Sequence, residues 1–444
     1  MRAKLFAAAM LAMSMVSCNL LLDTPAVKDP IKVSSPQPSN QITKVSLTEE
    51  EADYVDAGNE LTFRLLPVLS RSLVGEKSFI FSPLSIQYAL GMTANGASGE
   101  TMEQIVSTLG FGPDIDKLNT LCNKLLNQLP AVDLGVTLKL ADAILVNDEY
   151  PLLPSFKDKV ESTYYAAVEN MSFEDPSYVA ARINDWASRN TNGLIDKMLD
   201  ASDISPAAIA FLMNALYFKA PWVPKGSDPL FMKESTTNKA FYPGGCDVIE
   251  VPTMFTSRWL KYADLGDFRI LEIPYASGKF AMYILLPEGE VVGDQPDEVP
   301  AKYGIASLLK DFPTLDWKGI LSKMDNRDVI LALPKFETSS YYRLNDALKG
   351  LGMTRAFTSA AEFDRMFEDP SVQACIDMVI QKARISVTEW GTEAAAVTVV
   401  GMKNTSVGPG EEPPVKFTCD HPFAYIIAEK SSDAILFAGA YLGN

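Results

Sequence analysis

The stretch that decides the fold of this chain is Glu389-Trp390-Gly391-Thr392-Glu393-Ala394-Ala395-Ala396-Val397-Thr398-Val399-Val400. After Glu393 no charged residue occurs before Lys403 and no proline before Pro409, so every residue between them can donate a backbone hydrogen bond in a sheet. With a period of two, alternate residues from Thr392 to Val400 share one face, and most of them are small. The segment then enters a Gly/Pro-rich stretch that ends at Pro414, which is typical of an exposed loop. The sequence therefore predicts a strand-forming segment that leads directly into a solvated loop.

This arrangement resembles the hinge and reactive loop of the serpin family, and the resemblance extends over nearly all of the chain after about residue 47. The matching blocks occur in family order: FIFSPLSIQYALGMTANGASGETMEQI (79–105), FLMNALYFKAPW (211–222), LPKFE (333–337), the hinge itself, and FTCDHPFAYII with ILFAGAYLGN at the end. A chance match to one block is plausible, but a match to all of them in order is not.

The order of predicted elements indicates an α+β fold, because helices come first and strands dominate after about Ala207. The first helix begins at Thr48, where Thr48-x-x-Glu51 has the capping-box pattern, and bends near Pro67. Further helices are predicted after Ser82-Pro83 and over 99–109, 155–164 and 179–190. Strands are predicted over 137–146, 210–218, 251–254, 259–265, 268–274, 280–286, 329–336 and 377–389.

The resemblance implies a serpin-like architecture, with N-terminal helices packed on a large mixed β-sheet, two further sheets and an exposed reactive loop. It implies one folded domain over residues 47–444, with the reactive loop at about 389–414. The length of 444 residues alone would also permit two or three domains.

The N-terminus carries the features of an exported bacterial protein. Residues 1–17 have Arg2 and Lys4 before an apolar run that is too short to span a bilayer, which predicts a signal peptide. Cys18 follows in a lipobox-like context, with Met15 where leucine is usual, so we expect lipidation of Cys18; ordinary secretion with nearby cleavage is the alternative. Residues 18–46 are proline-rich and form a tether. We expect a cell-envelope or outer-membrane lipoprotein, or else a periplasmic or secreted protein.

Composition limits the partners. The formal net charge is −17 and the isoelectric point is near 4.6, which argues against nucleic acid, anionic membrane surfaces and polyanionic cofactors. Solubility is the simpler explanation of this acidity. We expect a monomer that contacts the membrane only through its N-terminal lipid.

The sequence also argues against an enzyme. The single histidine, His421, precedes Pro422 at the entrance to a strand, where the resemblance makes it a structural turn residue rather than a catalytic base. No phosphate-binding or dinucleotide motif is present, and we expect no cofactor and no metal. The other cysteines are far apart in sequence and permit a disulfide without requiring one: Cys122, Cys246, Cys375 and Cys419.

The function implied by the resemblance is inhibition of serine proteases, and of cysteine proteases as a further possibility, by a suicide-substrate mechanism. A protease cuts the loop and forms an acyl-enzyme, and the hinge then inserts into the main sheet and carries the protease with it. The residues that match the inhibitory hinge are Glu389, Gly391, Thr392, Glu393, Ala394, Ala395 and Ala396. The alternative is a non-inhibitory surface lipoprotein that uses the same fold as a binding module.

Two further groups are assigned by the same resemblance. Lys335 matches the basic partner of Glu389 in a latch at the top of the sheet, and Trp222 matches the tryptophan beneath it. Ser82, Ser85 and Asn214 match a mid-sheet polar cluster that governs strand separation. The histidine that usually completes the cluster is replaced by Gln381, which can donate and accept hydrogen bonds but cannot sense pH.

The bond cut in the loop sets the target. The usual family spacing from Glu389 places it at Thr405-Ser406, which favours elastase-like proteases as covalent partners. A small shift would make Lys403 the specificity residue for trypsin-like enzymes, or Met402 that for chymotrypsin-like or subtilisin-like enzymes.

Overall fold

The computed structural model describes residues 31, 36, 38, 40–72, 77–112, 114–223, 228–244, 247–288, 304–392 and 413–443. The predicted signal peptide, Cys18 and most of the tether lie outside these residues. So does the segment from Glu393 to Glu412, which contains Ala394 to Ala396 and the candidate cleavage positions Met402, Lys403, Thr405 and Ser406.

The helices confirm the helical N-terminal part of the predicted fold. The helix predicted at Thr48 has its capping box: Thr48 N–H donates to Glu51 and Glu51 N–H donates to the Thr48 hydroxyl. The helix at 115–132 was absent from the sequence prediction. The helices are α1 (Glu49–Ser72), α2 (Pro83–Asn95), α3 (Gly99–Thr108), α4 (Ile115–Val132), α5 (Pro154–Tyr164), α6 (Pro176–Asn190), α7 (Ile305–Asp311), α8 (Trp317–Ser322) and α9 (Asn345–Gly350).

The strands dominate after residue 210, as predicted. The pattern 329–336, predicted as one strand, covers the end of one strand and the start of another. The strands are β1 (Phe79–Phe81), β2 (Thr137–Asn147), β3 (Ala167–Met171), β4 (Ala210–Pro221), β5 (Thr237–Gly244), β6 (Asp247–Asp264), β7 (Phe268–Tyr275), β8 (Phe280–Pro287), β9 (Asp325–Pro334), β10 (Phe336–Arg343), β11 (Ile380–Thr388), β12 (Gly391–Thr392), β13 (Val415–Thr418), β14 (Phe423–Glu429) and β15 (Ile435–Tyr441).

A six-stranded mixed sheet holds the described part of the predicted hinge strand. Its order is β10-β11-β12-β4-β2-β3, in which β2 and β3 are parallel and the other neighbours antiparallel. The described part of the hinge strand, β12, consists of Gly391 and Thr392. It separates β11 from β4 at one end of the sheet.

A nine-stranded sheet lies against the first. Its main path is β1-β15-β14-β8-β7-β6-β9-β13, with β5 paired to β6. The resemblance implied two further sheets, and the 18-residue strand β6 joins them in continuous pairing. Strand β13, the first element described after the loop, pairs in parallel with β9.

The main core fills the space between the two sheets. Phe218 of β4 makes edge contacts with Tyr275 and Phe280 of the nine-stranded sheet, at centroid distances of 5.2 and 5.7 Å. A second, smaller core lies on the other face of the six-stranded sheet, where Trp186 of α6 packs among residues of β2 and β4. Strand β4 therefore contributes to a core on both of its faces, whereas β11 alternates between buried and partly exposed residues.

Candidate functional site

Two of the predicted hinge residues, Gly391 and Thr392, belong to the six-stranded sheet. Gly391 pairs with Thr388 of β11 and with Pro221 of β4, and Thr392 pairs with Val387 and Ala220. The Thr392 side chain is buried, and its hydroxyl lies 2.6 Å from that of Tyr275.

Gly391 is required by its backbone. Its φ of 141° is in the region that favours glycine, and a Cβ atom there would collide with the carbonyl oxygen of Ala220. The hinge glycine predicted from the sequence thus has a direct steric reason.

Beyond β12 the neighbouring strands are open toward each other. Within the described residues no strand pairing joins β4 to β11 except through β12. We call the facing edges of residues 210–219 and 380–386 the β4/β11 opening. A cavity of about 90 Å³ lies at its far end, between the start of β4, residues 374–379 and the helix α2. Free strand edges have unpaired backbone donors and acceptors, so this opening can accept an added strand.

The predicted latch residues meet at the hinge end of the sheet. Lys335 Nζ lies 3.3 Å from Glu389 Oε2, and the Thr236 hydroxyl donates to Glu389 Oε1 at 2.9 Å. The Glu389 side chain is 4% exposed and that of Lys335 is 42% exposed. Burial raises the pKa of Glu389, but hydrogen bonds from its own backbone N–H, Thr236 and Lys335 outweigh this and hold the pKa below its ordinary value. Thr236 was not predicted from the sequence.

Trp222 lies beneath this latch. Its ring stacks on Tyr275 with centroids 4.5 Å apart, and its Nε1–H donates to the carbonyl of Thr388 at 2.8 Å. Its backbone N–H donates to the carbonyl of Trp390. Trp222 therefore connects the end of β4 to the turn that starts the hinge.

The predicted mid-sheet polar cluster is divided into two parts. Gln381 accepts a hydrogen bond from Ser82 N–H at 3.0 Å and donates to the Ser82 carbonyl at 2.7 Å, so glutamine occupies both backbone groups there. Ser85 N–H donates to the Ser82 hydroxyl, which caps α2. Asn214 lies on β4, across the opening, and donates instead to Asp142 Oδ1 at 2.8 Å.

Asp142 is a second site residue that was not predicted from the sequence. It is buried on β2 directly opposite Asn214. Its Oδ2 atom and the Oδ1 atom of Asn214 are both buried without a hydrogen-bond partner. Burial raises the pKa of Asp142 to about 7, and the hydrogen bond from Asn214 only partly opposes this. The sequence signal was a carboxylate between two alanines, Ala141 and Ala143, in the middle of a predicted strand.

His421 has a hydrogen-bond partner at each ring nitrogen. Its Nδ1 faces Asp420 Oδ1 at 2.7 Å and its Nε2 faces the Pro287 carbonyl at 3.0 Å. Burial lowers the pKa of His421, but these two acceptors outweigh that effect and raise it. Both ring nitrogens are occupied by acceptors, so the imidazole has no free position for a general base.

The described part of the chain contains no cluster of metal-ligating residues and no helix of sufficient length and hydropathy to cross a bilayer. Cys122, Cys375 and Cys419 are unpaired, and Cys246 lies outside the described residues. Burial raises the pKa of the Cys122 thiol to about 12, so it is not a nucleophile.

Comparisons with known proteins agree on one family. The family model described as "Serpin (serine protease inhibitor)" matches residues 56–443. Iripin-2 of Ixodes ricinus is 30% identical over 398 residues, which cover 88% of this chain and 94% of that protein. Among solved structures, Serpin48 of the insect Tenebrio molitor superposes with a TM-score of 0.76 at 26% identity, covering 90% of this chain and all of the other. Thyroxine-binding globulin in complex with thyroxine superposes with a TM-score of 0.71 at 25% identity, covering 88% and 99%.

Proposed function

Because the chain belongs to the serpin family, we propose that it inhibits serine proteases as a suicide substrate, by inserting its cleaved reactive loop between β4 and β11. Most members of this family inhibit proteases, and some are non-inhibitory. The observation that carries the proposal is the described strand β12, which is already paired on both sides at one end of the β4/β11 opening. The same mechanism extends to cysteine proteases, since they also form acyl-enzymes.

The register of β12 predicts where the inserted residues would lie. Because β12 is antiparallel to both neighbours, each step of one residue forward along the loop corresponds to a step of one residue backward along β4 and along β11. Ala394 would lie between Phe218 and Ile385, and Ala396 between Leu216 and Ala383, by extension of the observed pairs. Those four neighbours are buried, so small alanine side chains suit the space between them.

The same register brings Thr398 to the polar cluster. It would lie between Asn214 and Gln381, the residues that the opening now separates. The threonine hydroxyl can donate a hydrogen bond to Asn214 Oδ1, which is buried without a partner in the uncut protein. Insertion would then satisfy a polar atom as well as the strand edges.

The driving force follows from the new ladder. At about 1 kcal/mol net for each backbone hydrogen bond, a strand of roughly ten residues would release on the order of 10 kcal/mol. This is comparable with the whole stability of an ordinary domain. The uncut protein would therefore be metastable relative to the cut and inserted form.

We propose Thr405-Ser406 as the cut bond and an elastase-like protease as the target, with Lys403 and Met402 as alternatives. We also propose that the inhibitor acts outside the cytoplasm and is attached through lipidated Cys18. These assignments rest on the sequence patterns, since the residues concerned lie outside the described part of the chain.

The test is a panel of elastase-like, trypsin-like and chymotrypsin-like serine proteases. One of them should form a covalent complex that survives SDS. The mass of the complex and of the released C-terminal peptide identifies the bond, because cutting at the proposed position gives a peptide that begins at Ser406. Clean cleavage by every protease, with no complex, would refute inhibition.

Thr392→Arg tests insertion directly. The Thr392 side chain is buried against Tyr275, so an arginine there would need space and solvation that the sheet does not offer. We expect the variant to be cut as a substrate, with at least a tenfold rise in the number of inhibitor molecules used per protease. Thr120→Arg, at an exposed position on α4, is the matched control and should behave as wild type. An unchanged stoichiometry for Thr392→Arg would contradict insertion.

The alternative is a binding module, and the similarity to thyroxine-binding globulin gives it some support. The cavity at the β4/β11 opening, however, is about 90 Å³, against roughly 300–1,000 Å³ for ordinary ligand pockets. The two functions differ in a simple measurement. Loop cleavage should greatly raise the heat resistance of an inhibitor and leave that of a binding module unchanged.

A further inference from the structure

Asp142 and Asn214 form a buried pair beside the β4/β11 opening. They lie directly opposite each other on β2 and β4, and the Asn214 amide donates to Asp142 Oδ1 at 2.8 Å. The second oxygen of each side chain, Asp142 Oδ2 and Asn214 Oδ1, is buried without a hydrogen-bond partner. Buried polar atoms without a partner are rare in folded proteins and cost stability. This pair therefore holds two free acceptors and lacks one proton.

One proton would join the two free oxygens. A protonated Asp142 can donate from Oδ2 to Asn214 Oδ1, while its Oδ1 keeps the existing hydrogen bond from the Asn214 amide. The result is a closed ring of two hydrogen bonds between a carboxylic acid and an amide. An ionised Asp142 can only accept, so Asn214 Oδ1 is then left without a donor. The protonation state of Asp142 thus decides whether Asn214 Oδ1 is occupied.

Neutral groups surround Asp142 in the main core. Three other titratable side chains face it from the helices on this side of β2: Tyr88 of α2, Cys122 of α4 and Tyr164 of α5. Burial raises the pKa of all three, so they are uncharged near pH 7. Helix α6 packs on the opposite face of β2, and Glu169 of β3 pairs with Leu145 on that face, so neither directs a charge toward Asp142. Among the described residues, only burial and the hydrogen bond from Asn214 shift the pKa of Asp142, and burial raises it to about 7.

An inserted strand would reach this pair from the opening. Extension of the β12 register places Thr398 between Asn214 of β4 and Gln381 of β11. Thr392 is buried toward the main core, and Thr398 would lie on the same face, because an even number of residues separates the two. The Thr398 hydroxyl gains most from Asn214 Oδ1 when that oxygen has no other donor, since an unpaired buried acceptor has the full desolvation penalty. A proton on Asp142 removes much of this gain in advance.

We propose that Asp142 is a positioning residue for loop insertion and acts through Asn214. Ionised Asp142 holds the Asn214 amide and leaves Asn214 Oδ1 free for the hydroxyl of Thr398, whereas protonated Asp142 occupies that oxygen. Insertion is therefore faster in alkaline than in acidic solution, and by linkage it lowers the proton affinity of Asp142. The inference rests on the proposed inhibitory function and adds its regulation: insertion responds to pH through a carboxyl group, in a polar cluster that has glutamine in place of histidine.

The experiment measures how fast a labelled synthetic loop peptide enters the opening of the uncut protein, with no protease present. The peptide covers residues 394–405 with both ends blocked, and its sequence, AAAVTVVGMKNT, has no group that titrates between pH 5.5 and pH 8.5. Entry is followed by co-migration of the label with the protein on native gels. Wild type should take up the peptide about fivefold faster at pH 8.5 than at pH 5.5. Glu389 stays ionised throughout this range, because its pKa is held below its ordinary value.

A protein variant and a peptide variant separate positioning from a merely structural role. Asp142→Asn carries an amide donor at every pH, so it imitates the protonated form and should take up the peptide slowly, without a pH profile. A peptide with Thr398→Val keeps the shape of the side chain but has no hydroxyl, and its entry into wild type should not depend on pH. Asp346→Asn, at a fully exposed carboxylate on α9, is the matched control and should keep the wild-type profile.

The outcomes distinguish this inference from the proposed function. A wild-type profile that is flat would overturn the role of Asp142 and leave the inhibitory mechanism standing. So would a profile that persists in Asp142→Asn, which would assign the pH dependence to another group such as His421, whose pKa is raised above its ordinary value. Failure of wild type to take up the peptide at any pH would overturn both, because the opening would then not accept a strand.

Discussion

Replacing Asp142 by asparagine should stabilise the protein in neutral and alkaline solution. The carboxyl group of Asp142 is buried opposite Asn214, and each of these side chains has an oxygen without a hydrogen-bond partner. When Asp142 is protonated, its hydroxyl can donate a hydrogen bond to the unpartnered oxygen of Asn214. The asparagine of the variant would supply an amide donor at every pH, without a buried charge.

The magnitude follows from the pKa. The folded value is about 7, against an ordinary value of 3.8, which is a rise of about three units. At 1.36 kcal/mol per unit, ionised Asp142 costs about 4 kcal/mol of stability relative to the protonated form. Because the folded pKa is raised, the folded state binds more protons than the unfolded state between about pH 4 and pH 7. Wild-type stability should therefore fall as pH rises through this window and then level off.

The assay is urea unfolding of wild type and Asp142→Asn at steps from pH 5 to pH 8, followed by tryptophan fluorescence. The advantage of the variant should grow with pH and approach several kcal/mol at pH 8. Asp346→Asn, at a fully exposed carboxylate on α9, is the matched control and should shift stability little at any pH. A difference between Asp142→Asn and wild type that does not change with pH would refute the reasoning, and so would a variant that is less stable at pH 8.

Two other predictions concern the latch and the N-terminus. Glu389→Gln should ease opening of the sheet by about 1 kcal/mol at pH 7, because it removes an ion pair in which the Lys335 side chain is partly exposed to solvent. Because the pKa of Glu389 is lowered in the folded protein, ionised Glu389 stabilises the closed sheet at pH values above its ordinary pKa, and this stabilisation is lost as the pH falls through the lowered pKa. In acid, the rate at which a synthetic loop peptide anneals to wild type should therefore approach the rate for the variant. Equal annealing rates at pH 7 would contradict the latch. Cys18→Ser should abolish incorporation of labelled fatty acid and release the protein from membranes; labelling that persists would place the lipid elsewhere, and a wild type that is never labelled would favour ordinary secretion.

Individual helices were accessible from the sequence because their strongest signals are local, whereas the sheet architecture was implied by the family resemblance. The capping box at Thr48 and the start of α2 at Ser82 depend on residues within one turn, and both are present. The missed helix α4 was also within reach, since Leu118, Leu121 and Leu125 have helical spacing and are buried. The pattern is present in the sequence, but the prediction did not use it.

The site was less accessible because its contacts join distant parts of the chain. The partner of Glu389 at Thr236 is 153 residues away, and Asp142 meets Asn214 across 72 residues. Strand pairing and register bring these residues together, and no single-chain pattern encodes either pair. The roles assigned to the hinge, the latch and the polar cluster remain predictions, although their geometry is now described.

The register of β12 also determines how far a trapped protease would move on insertion, because it fixes the point from which the inserted residues are counted. A cut after Thr405 leaves 13 residues beyond Thr392, and at about 3.3 Å per residue these would carry the acylated serine about 43 Å along the sheet. A cut after Met402 would reduce this displacement to about 33 Å. Under the proposed mechanism, moving the scissile bond by three residues would therefore change by about 10 Å how far the trapped protease is carried along the sheet.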